Sequence, residues 1–466
     1  MPVTINTLIQ SPKSEVFRRV LIKRRDAVTG LYESSWTDIT TDVKSFGKIT
    51  KQIDAARRNK LTFGTMKIVV NNENGLYSPH TSESSRWYGF LNQQRTLFRI
   101  ESGYFSRTKN DYGVWRNRQF QGDALWDVSE WDADDATWDS QSTVFIGILS
   151  GDIPLSDNNQ VSFNIKPMTS IFEEFPARNL TGWTSTGMTA SQFLTMVRDQ
   201  TSGGSYIFRP FFGDTTTNFD ISTTAQNYAN LNTSTAQGVF DTNVWAITEK
   251  LCEAENFVSY IASDGTFKFV SRDLTSSVAF AFHGAGSFNS LYGHSIKSIS
   301  NYGPKITKYY SRVEVKYINA DTTTSYSVTQ GSYSISPASN AWVLGQRTLK
   351  VENLFIPNTA TADAIAGTIF TDVSSLKNEV EITTSFIPHL DILNKCTITY
   401  DPSEFLTESL WDSNDWAADT TTSSANDLIW NNAIGDAFVL SGLEFKFLSI
   451  EIDLDNFQSK FIAREA

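Results

Sequence analysis

Cysteine is nearly absent from this sequence. Cys252 and Cys396 are the only two in 466 residues. They offer neither a disulfide framework nor a zinc-type spacing, so both read as buried small hydrophobes in a reducing compartment. Histidine is almost as scarce, and His80, His283, His294 and His389 stand in no metal-type or nucleophile-type arrangement. No Gly-x-Ser-x-Gly elbow, Walker loop or dinucleotide fingerprint occurs, and Ser202-Gly203-Gly204-Ser205 reads as a plain loop. Charged residues supply only 19% of the chain, and their balance is −12 with a pI near 4.9. A protein that grips nucleic acid by its phosphates needs a clustered cationic excess, so this balance argues against that class. No run of 18 apolar residues is present to span a membrane, and the N-terminus lacks the basic and apolar regions of a signal peptide. No cofactor and no metal are expected.

In place of charge the sequence is rich in aromatics, with 32 Phe, 16 Tyr and 12 Trp, and in Thr, Ser and Asn. This usage favours strands over helices. A chain of this length divides into roughly two to four domains. One basic stretch, Arg18-Arg19-Val20-Leu21-Ile22-Lys23-Arg24-Arg25, interleaves cations with apolar residues as an edge strand does. It reads either as a solvated strand or subunit contact, or as a polyanion site.

The expected class is mainly β with an inserted α+β portion. Residues 1–180 form a first β-barrel domain, residues 181–295 a small α+β domain, and residues 296–466 a second β-barrel domain with one packed helix. In the first region Thr65–Val70 reads as a strand that ends in the turn-rich Asn71–Pro79, where Asn74-Gly75 can supply positive φ, and Ser162–Lys166 alternates as a half-buried strand. In the second, Thr189-Ala190-Ser191-Gln192 has the form of a capping box. A stronger helix over Thr242–Glu255 carries the stripe Val244, Ile247, Leu251 and Ala254 and feeds a hairpin turning at Asp264-Gly265. In the third, Arg312–Tyr317 alternates strictly, and Ala362, Ile365, Ala366, Ile369 and Val373 share a helix face capped by Thr359 or Thr361. Two closing strands are expected at Leu443–Phe447 and Leu448–Asp453.

The most informative pattern is a duplication. Leu125-Trp126-Asp127-Val128-Ser129-Glu130-Trp131 recurs about 285 residues later as Leu410-Trp411-Asp412-Ser413-Asn414-Asp415-Trp416, and each copy runs into an apolar strand expected to end in Leu-Ser-Gly. Repeated β units can present two similar edges to their neighbours, which suits a ring-building protein. Trp126, Trp131, Trp138, Trp411, Trp416 and Trp430 are the candidate subunit-interface residues, because Trp has few flexible torsions and anchors contacts well. Two other readings of the first segment stay open. It could bind sugar or calcium, or supply a carboxylate pair such as Glu130 with a neighbouring Asp to a glycosidase; against the latter, the second copy has fewer acids.

Four further stretches bear on family. They are Ile68-Val69-Val70-Asn71-Asn72-Glu73-Asn74-Gly75-Leu76-Tyr77-Ser78-Pro79, the strand Phe145-Ile146-Gly147-Ile148, the helix from Val244 followed by Asp264-Gly265-Thr266-Phe267-Lys268-Phe269, and the closing Leu448–Asp455 through Gln458 and Arg464-Glu465. In this order they resemble the baseplate hub, or tail-tip hub, family of tailed bacteriophages, with Asn74 where that family usually has Asp. The resemblance implies a homotrimer whose chains each contribute two tandem tail-tube-type barrels, so that three chains make a pseudo-sixfold ring. It also implies partners: the tail tube or distal tail protein on one side, a spike, fibre or other tail-tip protein on the other, and the tape-measure protein. DNA would pass through without specific binding, with no catalysis and no stable membrane anchor. The expected location is the tail tip of the virion, assembled in the host cytoplasm. Because the sequence ends at Ala466, directly after its last strand pair, a separate lysin or fibre domain is not expected. The alternatives are a hexameric distal tail adaptor, a host-surface carbohydrate-binding protein and a glycan hydrolase.

Overall fold

A computed structural model of the chain describes residues 14–53, 61–78, 83–90, 95–106, 142–151, 159–213, 215–229, 231–232, 242–271, 278–284, 296–318, 325–353, 355–356, 358–400 and 440–465. The fold is mainly β with an α+β portion, as the composition implies. Nine strands come first: β1 Ser14–Lys23, β2 Thr37–Asp38, β3 Val43–Ser45, β4 Lys48–Ile53, β5 Leu61–Phe63, β6 Met66–Asn71, β7 Leu97–Ser106, β8 Ser142–Leu149 and β9 Gln160–Pro167. The middle of the chain holds α1 Ser170–Glu173, α2 Ala190–Arg198, β10 Phe219–Ile221, α3 Val244–Glu255, β11 Phe257–Ile261 and β12 Phe267–Ser271. Then follow β13 Val278–Gly284, β14 Ile296–Pro304, β15 Arg312–Ile318, β16 Ser325–Gly331, α4 Asn340–Val343, β17 Thr348–Glu352 and α5 Thr359–Val373. The last four strands are β18 Asn378–Ser385, β19 Lys395–Tyr400, β20 Leu440–Asp453 and β21 Gln458–Glu465.

Seven strands form the first large sheet, in the order β2-β1-β7-β8-β9-β6-β3. Alternation dictates its inner face: on β6, Met66, Ile68 and Val70 are buried, and on β9, Val161, Phe163 and Ile165. The second large sheet runs β13-β19-β20-β21-β18-β14, and β4 joins it by pairing with β20. One hydrophobic core serves both sheets, from Val20 and Phe163 on one side to Ile382 and Phe461 on the other.

A separate core gathers the middle elements with β15, β17 and α5. The expected division at residues 181–295 and 296–466 is therefore crossed in both directions. β13 lies at an edge of the second sheet, while β15–β17 and α5 pack beside α3, because Val313, Val315 and Ile365 turn their apolar face to that core.

Local chemistry explains most of these elements. Thr189 closes the capping box: its hydroxyl accepts from Gln192 N–H at 3.1 Å, and Gln192 Oε1 accepts from Thr189 N–H at 2.9 Å. The cap of α5 differs from expectation. Asn358, one position before Thr359, accepts from Thr361 N–H at 2.9 Å, since its amide oxygen reaches the third helical N–H while Thr359 is already helical. The two closing strands expected at Leu443–Phe447 and Leu448–Asp453 are one strand, β20. Its pairing with β21 shifts between Phe447 and Ser449, and this bulge lets the adjacent Phe447 and Leu448 both be buried.

Candidate functional site

The duplication seen in the sequence has a structural counterpart. In chain order, β1, β3, β6, β7, β8 and β9 occupy the same successive places in the first sheet as β13, β14, β18, β19, β20 and β21 do in the second. Each sheet is a three-strand meander, flanked on one side by the strand that precedes it and on the other by the earliest strand of the set. Four of the five pairings agree in direction, all antiparallel. The fifth differs: β1 runs antiparallel to β7, whereas β13 runs parallel to β19. Both units also make an excursion at the same point. Between β3 and β6 the chain sends out the hairpin β4–β5, and between β14 and β18 it sends out β15–β17 with α5.

The candidate interface tryptophans fall in the equivalent connection of the two units. Trp126, Trp131 and Trp138 lie between β7 and β8, and Trp411, Trp416 and Trp430 between β19 and β20; all six are outside the described residues. The Leu-Ser-Gly triplets are not equivalent. Gly151 takes a φ of +84° just beyond β8 and turns out of the sheet, but Leu440-Ser441-Gly442 stand at the beginning of β20, which continues to Asp453.

The other stretches behind the family resemblance act in packing. Gly75 takes a φ of +71°, and the turn it makes drops Tyr77 into the core against Trp87 and Phe163, with its hydroxyl 2.6 Å from the Asp42 carboxylate. Gly147 has no room for a side chain, because a Cβ there would stand 2.4 Å from the Lys166 carbonyl oxygen on β9. In the second sheet, Gly284 lets β13 close onto Ile296 of β14, whose Cβ lies 2.8 Å from where a Cβ would be. The end strands thus touch without hydrogen bonding, and the sheet curls into most of a barrel.

A polar joint fixes one unit to the other. The Asp455 carboxylate accepts from the Ser45 hydroxyl at 2.7 Å, Phe46 N–H at 2.9 Å and Gly47 N–H at 3.1 Å, and pairs with Arg18 at 3.3 Å. Burial works against this carboxylate, but those donors outweigh it and hold its pKa below the usual range. The Arg18 guanidinium lies 4.0 Å over the Phe46 ring and donates to the Leu454 carbonyl. Buried Lys51 donates to Ser263 at 2.9 Å and Asp391 at 3.4 Å, tying β4 to the middle unit and the second sheet. Sequence reading missed Asp455 and Lys51, whose partners lie hundreds of positions away.

The basic stretch is used internally. Arg19 pairs with Asp38 at 2.6 Å and Glu101 at 3.7 Å, Arg24 with Glu33 at 2.6 Å, and Arg25 donates to the Gly30 carbonyl at 2.9 Å. These contacts favour the strand reading over a polyanion site. Glu101 is buried, which pushes its carboxyl up, and Arg99 and Arg19 oppose that shift. An open cleft of about 340 Å³ lies between the Asp26–Gly30 turn and the middle unit, lined by Arg25, Tyr32, Arg95, Glu174, Tyr206 and Phe211. Glu174 is its one carboxylate among the described residues and is tied to Arg95 at 3.0 Å, so the cleft holds no acid pair for glycoside chemistry. Among the described residues no three His, Cys, Asp or Glu converge to hold a metal, and no helix is long and apolar enough to cross a membrane.

The histidines yield a pH prediction. His80 and His294 are outside the described residues and His283 lies on β13, but His389 is packed against Phe280 and burial pushes its imidazole down to about 4. The unfolded chain, near 6.5, therefore takes up the proton first. His389 contributes fully to stability above about pH 6.5, and this is lost as pH falls from there to about 4, amounting to about 3 kcal/mol. Thermal unfolding from pH 7 to pH 4 should show a steeper loss for the wild type than for His389→Leu; equal slopes would contradict it.

No family model matches this chain, and no curated protein does. Among solved structures it is similar to the tail protein from Neisseria meningitidis MC58, at 9% identity over 96% of this chain and 97% of that one, with a TM-score of 0.48. It is also similar to the 43 kDa tail protein of prophage MuSo2 from Shewanella oneidensis, at 10% identity over 96% and 97%, TM-score 0.46. A third similar structure is the prophage tail protein gp18 from Listeria monocytogenes EGD-e, at 7% identity over 96% and 94%, TM-score 0.44.

Proposed function

We propose that this chain is a structural protein of the bacteriophage virion: a homotrimeric tail hub that joins a sixfold tail tube or distal tail ring to a threefold spike or fibre and lines the genome-ejection channel. The observation that carries the reading is the matched strand order of the two large sheets, with the Trp/Asp segments in the same connection of each. Three chains with two such units apiece present six similar edges, the number a sixfold neighbour requires. The Asp455 joint and the β4–β20 pairing hold the two units of one chain in a fixed relation. In this reading the six tryptophans contact adjacent subunits, and the net charge of −12 lets DNA move past the wall without adhering.

Copy number tests it. The purified chain, or the particle containing it, should assemble as three copies of 52.2 kDa, and Trp131→Ala or Trp416→Ala should reduce assembly. Six copies would point to a distal adaptor, and a chain that stays single at every concentration would sink both.

A further inference from the structure

The turn that carries Asp455 has a counterpart in the first unit. Between β20 and β21 the chain reads Asp455-Asn456-Phe457-Gln458 and reaches buried Phe461 three residues later; between β8 and β9 it reads Asp157-Asn158-Asn159-Gln160 and reaches buried Phe163 in the same way. The third residue of each run takes a positive φ, +50° at Phe457 and +53° at Asn159, which is uncommon for a residue other than glycine. Asp157 therefore holds in the first unit the sequence position that Asp455 holds in the second. Residues 152–158 lie outside the described residues.

The surface that receives Asp455 is repeated as well. Val43-Lys44-Ser45-Phe46 at β3 matches Ile296-Lys297-Ser298-Ile299 at β14. Both strands bulge at the same step: Val43 pairs with Val70 and Ser45 with Val69, as Ile296 pairs with Thr384 and Ser298 with Thr383. Their partner strands share a register in turn, with Asn71 opposite Gln160 and Ser385 opposite Gln458. Ser298 thus stands where Ser45 stands, and Ile299 and Ser300 stand where Phe46 and Gly47 do. An edge strand points alternate N–H groups outward, so the Ser298 hydroxyl and one of the two following amides repeat the cradle of donors. Arg18 is not repeated, because β13 runs the other way, but Lys297 is exposed beside the cradle. Glu381, opposite Ser300, is paired with Lys460 at 2.5 Å.

The two cradles differ in cover. Beneath the β20–β21 turn Phe46 is buried and Ser45 half-buried, whereas Ser298 and Ser300 are exposed. The described ends of the β8–β9 turn are not packed on β14 either: Asn159 is exposed, and nothing lies within 4 Å of the Cβ position of Gly151. Within one chain the second unit's turn has filled the first unit's cradle. The first unit's turn and the second unit's cradle complement each other in the same way, and joined between copies they repeat that contact head to tail, as a closed ring requires. We infer that the β8–β9 turn of one copy docks on residues 298–300 of the next, its Asp157 carboxylate taking the place that Asp455 takes within the chain. This rests on the hub reading for the number three but not for the contact itself.

The test uses the full chain, with copy number measured by mass across a dilution series. Asp157→Lys and Ser298→Asp should each unfold at the wild-type temperature and each need about 100-fold more protein to assemble, and the two combined in one chain should restore assembly. Asp157→Cys with Ser298→Cys, oxidised in air, should form a disulfide that links separate chains. A disulfide closed within a single chain would overturn the inference, and so would unchanged assembly of both single variants; either result leaves the hub standing if the wild type is a trimer. Linked rings of some number other than three would support the contact and sink the hub. A wild type that never self-associates would sink both.

Discussion

Replacing Phe163 by Ala is expected to remove about 3 to 5 kcal/mol from the stability of the core shared by the two large sheets. Phe163 has no exposed surface and its ring meets three others, Tyr77, Trp87 and Phe98, at centroid distances of 5.5, 5.7 and 5.5 Å. Two of these partners are also held at their polar ends: Tyr77 donates to Asp42, and Trp87 Nε1 donates to Thr96 Oγ1 at 2.9 Å. They cannot slide into the space vacated without breaking those bonds, so the cavity stays open and its full cost is felt. Calorimetry should show the unfolding transition of this core moving down in temperature; a shift worth less than about 1 kcal/mol would mean that the site collapses and that the ring cluster is not the anchor described.

Gly147→Ala should cost about 3 kcal/mol, for a different reason. The new methyl would stand 2.4 Å from the Lys166 carbonyl oxygen and 2.7 Å from both Ile165 Cγ2 and Phe145 Cε1. Backbone on the paired strand cannot step aside, so β8 and β9 must separate where Ile148 opposes Lys166. Gly151→Ala is the internal control. Nothing lies within 4 Å of its Cβ position, and only its φ of +84° is unfavourable, worth about 1 kcal/mol. Chemical denaturation of the two variants should therefore rank Gly147→Ala well below Gly151→Ala; the reverse order would show that backbone conformation, not close approach of the strands, governs these glycines.

Much of this was legible in the sequence where the signal is local. The capping box at Thr189, the stripe of α3 and the alternation of Arg312–Tyr317 depend on neighbours three or four positions away, and each formed as read. The duplication was legible too, because its Trp/Asp marker falls at the same connection of both units. What the sequence hid is what depends on distant partners. Nothing near Lys51 announces Asp391, nothing near Asp455 announces the Phe46 amide, and the short β4 gives no sign that it will leave its own sheet for the other. Packing faces misled in the same way. The periodicity of α5 states that one side is apolar, but not that it will lie on β15 and β16, beside α3, instead of on the strands that follow it.

The hairpin β4–β5 sets an order of events for a chain emerging from the ribosome. Lys48 on β4 and Glu451 on β20 pair across 403 positions, so at roughly 5 to 20 residues per second β4 waits on the order of half a minute for its partner strand to be made. Throughout that interval its edge is open to pairing. In a cell making many copies at once, the β20 strand of a neighbouring nascent chain competes for it, and an exchange of these strands between copies would lock the wrong partners together. Production yield should therefore depend on the density of ribosomes on the message as well as on the stability of the finished protein.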